Sequence, residues 1–294
     1  MNYNEFVDSV TGYLREAMPT GTRLEMIPLE KNNGVIREGL SVRRKGRNVA
    51  PTIYLDAYYQ EYLEGRNLGG IYEQILEYCG DSDFEDRFEP EFFADYGKLR
   101  PTIVYKLINR EKNEALLEKI PYLPYMDLAI VFYCLLADTP AGSATVLIHN
   151  THLQLWKTGI SDIYAAAREN APTLLPARLE SMGDVIRELS GGTMDTCEDE
   201  TPMYVLTNTA KVFGAACILY EGMMDVCRMR IGADFYVLPS SIHEVILLPV
   251  GAVPDKGELG RIVREINATQ VRDTEVLSDN VYYYSAEEGR LTPA

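Results

Sequence analysis

The 294-residue chain is 46% hydrophobic and 24% charged, a composition that excludes a disordered protein and supplies a core able to fold without a cofactor. Its formal net charge of −16 would repel the negatively charged phosphates of a nucleic acid. Direct nucleic-acid binding is therefore disfavoured. No run approaches the ~18 apolar residues of a membrane span, and the N-terminus lacks a secretory signal. We therefore expect a cytoplasmic protein.

Cysteine and histidine usage argues against a structural metal. The chain has five cysteines and three histidines, and no CxxC pair or closely spaced ligand pair is present. Most of the cysteines stand in apolar stretches, as reduced core thiols do. They are Cys79, Cys134, Cys197, Cys217 and Cys227. We expect free thiols and no bound metal.

The N-terminal half predicts helices around one clear hairpin. Apolar residues at helical spacing from Phe6 to Ala17 indicate a first helix. Arg23–Leu29 and Val35–Val42 alternate as two strands, with Asn32-Asn33-Gly34 as the turn. Helices are predicted at Asp56–Glu64 and Leu68–Tyr78, and a strand at Thr102–Asn109.

The C-terminal half predicts further strand pairs and helices. The strands are expected at Asp127–Leu136, Ser143–His149, Met203–Thr207, Asp234–Leu238, Glu244–Val250 and Val281–Ser285. Thr151 and Ser161 are suitable caps for two helices, the second closed by Pro172. Further helices are expected at Met182–Leu189, across Ala215–Val226 and from Asp255 to Ala268.

The order strand, strand, helix occurs three times, at Arg23–Glu64, Asp127–Asn170 and Asp234–Ala268, without matching sequences. This predicts an α+β fold of antiparallel hairpins packed with helices. The length favours two subdomains, and we place them at residues 1–124 and 125–294.

Six segments in order resemble one family. They are KNNGVIREGL, NVAPTIYLDAYYQEYLEG, NTHLQLW, ARENAPTLLPA, MYVLTN and FYVLPSSIHEVILLP. Together they resemble a bacterial family of unknown function, DUF5688, from about Tyr3 to Tyr284. The resemblance implies a bacterial protein and supplies no activity, cofactor or catalytic residue.

The most reactive-looking group of residues is the hairpin segment Ser240, Ser241, His243 and Glu244, because a serine nucleophile needs an imidazole base and a carboxylate that orients it. Against this, adjacent residues rarely reach the required geometry, and no GxSxG motif is present. Serines at such positions commonly satisfy backbone groups of a turn. The segment is either a catalytic site or a hairpin turn, and the turn is favoured.

Two further groups are candidates for ligand binding. His149, Asn150 and His152 stand where a strand ends and a helix begins, a place that suits an anion. The favoured interpretation is that Asn150 and Thr151 cap the helix and that the two histidines are incidental. A meeting of His149 or His152 with His243 would make a metal conceivable. Lys31, Asn32 and Asn33 at the tip of the first hairpin, together with the basic turn at residues 43–48, suit a phosphate or an acidic partner, although two solvated turns are the favoured interpretation.

Function therefore remains open between three classes. Catalytic motifs are lacking, while tyrosine, a residue common at interfaces, is concentrated at Tyr54–Tyr62 and Tyr282–Tyr284. These features favour a non-catalytic binding or regulatory protein with a protein partner. The alternatives are a hydrolase or transferase of unrecognised type using Ser240 or Ser241 with His243, and an acidic inhibitor that imitates a nucleic acid.

Overall fold

A computed structural model describes residues 1–45, 52–80, 90–139, 142–189, 202–239, 241–252 and 256–294. They form two compact units. Unit 1 comprises Met1–Lys31, Val35–Leu99 and Ala137–Ala144, and unit 2 comprises Asn32–Gly34, Arg100–Leu136 and Thr145–Ala294. The boundary proposed from the sequence, between residues 124 and 125, lies inside the second range of unit 2.

Unit 1 starts with α1 (Tyr3–Ala17), whose N-terminus is closed by a reciprocal pair of hydrogen bonds between Asn2 and Glu5. The predicted hairpin follows as β1 (Arg23–Glu30) and β2 (Ile36–Arg43), and the short β3 (Thr52–Ile53) pairs with β2. All pairs are antiparallel, so the hairpin prediction is confirmed.

The helices of unit 1 after the sheet are α2 (Leu55–Leu63), α3 (Leu68–Gly80), α4 (Pro90–Ala94) and α5 (Tyr96–Leu99). Apolar side chains of α1, α3 and β2 form a core from which solvent is excluded. Its largest contributors include Phe6, Leu14, Leu40, Ile71 and Ile75. The helical spacing of α1 read from the sequence corresponds to this buried face.

A four-stranded antiparallel sheet contains β4 (Ile103–Asn109), β5 (Tyr122–Tyr125), β6 (Leu128–Thr139) and β7 (Gly142–Leu147). Its order is β4-β6-β5, with β7 also pairing with β6. Both faces of β4 are buried, which explains why its sequence is apolar without alternation.

The larger sheet of unit 2 has six antiparallel strands in the order β13-β12-β10-β11-β9-β8. These are β8 (Ala177–Ser181), β9 (Tyr204–Asn208), β10 (Phe235–Leu238), β11 (Val245–Pro249), β12 (Tyr282–Ser285) and β13 (Arg290–Pro293). The edge strands β8 and β13 were not expected. Both are short and carry little buried surface.

The helices of unit 2 are α6 (Glu114–Leu117), α7 (Asn150–Trp156), α8 (Ile160–Leu174), α9 (Met182–Leu189), α10 (Met223–Ile231) and α11 (Lys256–Thr269). Helix α8 packs on β4 through Ile163, Ala166 and Ala167, which are fully buried. Each of the three predicted strand-strand-helix segments is present, so the fold is α+β.

Three local predictions were wrong. The segment Ala215–Val226 is a 3-10 helix, Gly214–Leu219, followed by the separate α10, because Gly222 adopts a left-handed conformation with φ of 72° between them. Pro172 lies inside α8, which continues to Leu174. The caps of α7 and α8 are His149 and Gly159 rather than Thr151 and Ser161.

The thiols follow the expectation where they can be checked. Cys79, Cys134, Cys217 and Cys227 are free and buried, and Cys197 lies outside the described residues. Burial raises the pKa of Cys134 to about 11 and that of Cys217 to about 12, so both are protonated and unreactive at neutral pH. No helix in the described part of the chain combines the length and apolar character needed to cross a bilayer.

Candidate functional site

Of the segment singled out from the sequence, Ser241, His243 and Glu244 are described, and they immediately precede β11 in unit 2. Ser240 lies outside the described residues. Ser241 is 8% exposed, and its Oγ accepts the backbone N–H of His243 at 3.0 Å. The N–H of Ile242 donates to the carbonyl of Glu275 at 2.8 Å. The Ser241 hydroxyl therefore stabilises the local backbone, as short polar side chains often do.

The His243 imidazole is held by the protein on both edges. Its Nδ1 accepts the backbone N–H of Phe213 at 3.3 Å, and Nε2 lies 3.9 Å from Oε1 of Glu275. A neutral ring that accepts at Nδ1 carries its proton on Nε2. Burial lowers the pKa of His243, with the acids Glu275 and Glu244 acting in the opposite direction. The ring is thus neutral, with its lone pair engaged.

The His243 ring is covered by Phe213, which lies in a close-packed loop. The Phe213 ring stacks on the imidazole with centroids 5.7 Å apart and planes at 11°, and the Lys106 ammonium lies 4.2 Å from the centroid of the Phe213 ring. Phe213 is left-handed, with φ of 56°. The next residue is Gly214, where a Cβ would come within 2.6 Å of the His243 carbonyl oxygen. Only glycine allows that approach.

The polar side chains predicted at the start of α7, those of His149, Asn150 and His152, mostly make contacts with nearby residues. His152 Nδ1 accepts the backbone N–H of His149 at 3.1 Å, and its ring stacks on Trp156 at 5.4 Å. The Asn150 side chain donates to the Glu118 carbonyl at 3.2 Å. Burial lowers the pKa of His152. Neither histidine of this group contacts His243 within the described ranges.

No metal site forms around these histidines in the part of the chain that the structure describes, where no three His, Cys, Asp or Glu side chains come together as ligands. The histidines have different surroundings. His243 is stacked on Phe213, and His152 on Trp156.

Asn32 and Asn33 belong to unit 2 and are held by the chain itself. The Asn32 amide donates to the Thr274 carbonyl at 2.9 Å. The Asn33 amide donates to the carbonyls of Asp273 and Val276, both at 2.8 Å. Since both amide groups are used internally, they position the segment before β12. Asn33 is also left-handed, with φ of 62°.

Lys31 belongs to unit 1, where its ammonium lies 3.3 Å from the centroid of the Tyr54 ring. Burial and the nearby Arg37 lower the pKa of Lys31 to about 8. A pKa of about 8 leaves Lys31 mostly protonated at neutral pH, and its ammonium is already engaged with the Tyr54 ring, which weakens it as a phosphate contact.

Sequence reasoning missed an open groove in unit 2, which we call the α8–α10 groove. Its volume is about 630 Å³. The residues that line it come from β4, α8, the approach to β8, the 3-10 helix and α10: Tyr105, Ala165, Arg168, Glu169, Pro172, Pro176, Ala177, Leu219, Tyr220, Glu221, Met223 and Val226. A volume of this size is ordinary for ligand-binding clefts.

The floor of the α8–α10 groove is rigid. Tyr105 and Tyr220 meet edge to face with ring centroids 6.1 Å apart, and both are almost fully buried. The Tyr220 hydroxyl donates to the carbonyl of Leu175 at 2.8 Å. Burial raises the pKa of both phenols far above the physiological range. The floor therefore presents aromatic surface without a free charge.

Exposed apolar side chains continue the groove along α10. Val226 is 46% exposed and Met229 is 74% exposed, and residues three apart lie on one helix face. The sequence offered a misleading signal here, because Val226 completes an apolar helical pattern that suggests a buried face. The break at Gly222 separates α10 from the 3-10 helix, and Val226 is left at the surface.

Ion pairs lie at the rim of the groove. Arg168 and Glu221 are 3.0 Å apart, and Arg100 and Glu169 are 2.8 Å apart. The carboxylates are the more exposed partners, at 89% for Glu221 and 65% for Glu169. Exposed pairs of this kind contribute about 0–1 kcal/mol, so each carboxylate can exchange its arginine for another cation at little cost.

Comparison with known proteins gives one match. A family model described as "Family of unknown function (DUF5688)" matches residues 3–286, nearly the whole chain. No match was found among curated proteins or among solved structures.

Proposed function

This chain belongs to the DUF5688 family, a family of unknown function, and we propose from its own geometry that it is a non-catalytic cytoplasmic binding protein. Its ligand is a segment of a partner protein that enters the α8–α10 groove. The observation that carries the proposal is the aromatic-floored groove continued by the exposed Val226 and Met229.

The groove has the composition of a protein-binding hot spot. Apolar side chains such as Leu219, Met223 and Val226 stand over an aromatic floor, with charged groups confined to the rim. An apolar anchor of the partner would exclude water from this surface. Methionine adapts its shape to an incoming side chain, which suits Met223 and Met229 to such a contact.

The partner segment should be basic. The net charge of −16 attracts cations over long range, and Glu169 and Glu221 are exposed at the rim. An arginine or lysine of the partner can replace Arg168 beside Glu221. We therefore propose a segment that combines an apolar anchor with one or more basic residues.

The alternative of a hydrolase or transferase finds little support in the arrangement around His243. A general base needs a free imidazole nitrogen within hydrogen-bond reach of the nucleophile. Here Nδ1 accepts from Phe213, and the Ser241 hydroxyl accepts from the backbone of His243. Catalysis by Ser241 would require the hydrogen bond at Nδ1 of His243 to be replaced, and Ser240 lies outside the described residues.

Selection of random peptides on the purified protein tests the proposal. The selected peptides should be enriched in a basic residue next to a large apolar one. Fluorescence anisotropy then compares the wild type with Val226→Asp and Met229→Asp. We expect at least tenfold weaker binding to both variants, because a lost anchor contact costs more than about 1.4 kcal/mol.

The matched control is Ile262→Asp on α11, where the replaced side chain is also exposed, at 41%, and does not line the groove. Binding to this variant should equal that of the wild type, and wild-type binding should weaken with added salt. Equal binding to all four proteins, or selection of acidic peptides, would overturn the proposal.

A further inference from the structure

Unit 1 contains a second cleft, distinct from the groove of unit 2. It has a volume of about 360 Å³, and we call it the tyrosine cleft. The residues that line it are Thr52, Ile53, Tyr54, Ala57, Tyr58, Glu61, Gln74 and Tyr78. The volume is near the lower end of the range for small-molecule sites.

Helical spacing brings the polar side chains of the cleft together. On α2, Tyr58 and Glu61 are three residues apart, and on α3, Gln74 and Tyr78 are four apart. Such pairs lie on one face of their helix. Tyr54 immediately precedes α2 and completes the set. Two helix faces and the end of β3 therefore supply three phenols, one amide and one carboxylate to a single concavity.

Several of these polar groups lack partners within the described ranges. The Gln74 Oε1 atom is buried and accepts no hydrogen bond. A buried unpaired carbonyl costs about 1–3 kcal/mol, so its presence in a folded protein calls for an explanation. The phenols of Tyr54, Tyr58 and Tyr78 are half-buried, and burial raises the pKa of each. They remain neutral groups that can donate and accept.

The lining excludes three ligand classes. Its one formally charged side chain is Glu61, which is paired with Arg66, so the lining itself offers no cation to bind an anion. A cation would compete with two cations that are already present, since the Lys31 ammonium contacts the Tyr54 ring and Arg66 is paired with Glu61. A fully apolar ligand would leave the phenols and Gln74 without partners.

We propose that the tyrosine cleft binds a neutral carbohydrate of one or two sugar rings. The C–H faces of a sugar pack on aromatic rings, while its hydroxyls both donate and accept. They can donate to the Gln74 carbonyl and the Glu61 carboxylate, and exchange hydrogen bonds with the three phenols. This ligand class can provide partners for the unpaired Gln74 carbonyl and for the three phenols together.

Saturation-transfer NMR on the full-length protein tests this proposal. The probes are glucose, N-acetylglucosamine and maltose at millimolar concentration, with spermidine and inorganic phosphate as charged comparisons. We expect saturation transfer to at least one sugar and to neither charged compound. Gln74→Leu and Tyr78→Phe should each weaken binding of that sugar at least tenfold.

Two further measurements separate ligand binding from a structural role. Gln74→Leu should leave the thermal midpoint of the free protein unchanged or raise it, because the variant removes an unpaired buried carbonyl. Tyr13→Phe is the control, since Tyr13 stacks on Tyr72 in unit 1 outside the cleft and its loss of a hydroxyl should not affect sugar binding. Absence of transfer to all three sugars, equal binding by Gln74→Leu and wild type, or displacement of the sugar by spermidine or phosphate would overturn the proposal.

Discussion

The phenol of Tyr282 donates a hydrogen bond of 2.6 Å to the carboxylate of Asp127, 155 positions away in the chain. The other carboxylate oxygen accepts the Ser278 hydroxyl at 2.6 Å and the Asn280 amide at 3.0 Å. One side chain in the turn before β6 thus fixes the segment that leads into β12. Hydrogen bonds to a carboxylate are stronger than those between neutral groups.

Asp127→Ala should destabilise unit 2 by about 2–4 kcal/mol, because three donors lose a charged acceptor and each such bond contributes about 1.5–3 kcal/mol, less where solvent can replace it. Tyr282→Phe should cost about 1–2 kcal/mol. Urea unfolding followed by the fluorescence of Trp156, the single tryptophan and a residue of unit 2, measures both. Tyr283→Phe is the control, with its longer bond of 3.2 Å to Asp234, and a loss equal to that of Tyr282→Phe would contradict the argument.

Gly214→Ala should destabilise unit 2 by at least about 2 kcal/mol, the range of an overpacked interior. The added Cβ would lie 2.3 Å from Thr207 Oγ1 and 2.6 Å from the backbone nitrogen of Asn208. Backbone atoms held in a strand cannot move aside cheaply. Gly251→Ala is the matched control in the same unit, since no atom lies within 4 Å of its added Cβ. Similar urea midpoints for the two variants would show that the loop around Phe213 is loosely packed.

Much of the fold could be predicted because its signals are local. The hairpin of β1 and β2 follows from alternating residues on either side of an Asn-Gly turn, and the buried face of α1 follows from its spacing. The break at Gly222 was not predictable in this way, since the helical pattern continues across it. The edge strand β8 was not predicted because it carries little buried apolar surface and therefore lacks a clear strand pattern.

The candidate sites were less predictable because they depend on distant contacts. The sequence placed Ser241 and His243 together. The groups that contact the two ring nitrogens of His243, however, belong to Phe213 and Glu275, which lie 30 and 32 positions away in the chain. The α8–α10 groove likewise combines residues from Tyr105 to Val226. The helical or strand periodicity of a segment contains no information about contacts between residues that are distant in the sequence.

The stability of the protein should fall as the pH decreases below about 6.5, in part through His243. Burial lowers the pKa of this residue in the folded state, whereas in the unfolded chain it is near 6.5. Between the two values the unfolded state binds more protons, so the stabilisation present above pH 6.5 is lost as the pH falls. His152, whose pKa is also lowered by burial, contributes with the same sign.

Comparison of His243→Gln with the wild type isolates this contribution. Urea unfolding monitored by circular dichroism at pH 5.5 and pH 7.5 should show a smaller difference between the two pH values for the variant. The carboxylates common to both proteins cancel in the comparison. An identical difference would mean that His243 is protonated equally in the folded and unfolded states.

Lys31 should react with acetic anhydride at lower pH than an ordinary lysine, because only the neutral amine is nucleophilic. Burial, followed by repulsion from Arg37, lowers its pKa from 10.5 to about 8, and attraction by Asp56 acts in the opposite direction. Mass spectrometry of brief labelling between pH 6 and 11 should give a midpoint near 8 for this residue, against about 10.4 for a lysine model peptide. Arg37→Gln should raise the midpoint, since it removes a positive charge and releases Asp56 from its ion pair with Arg37. A midpoint that stays unchanged in this variant would assign the low pKa to burial alone.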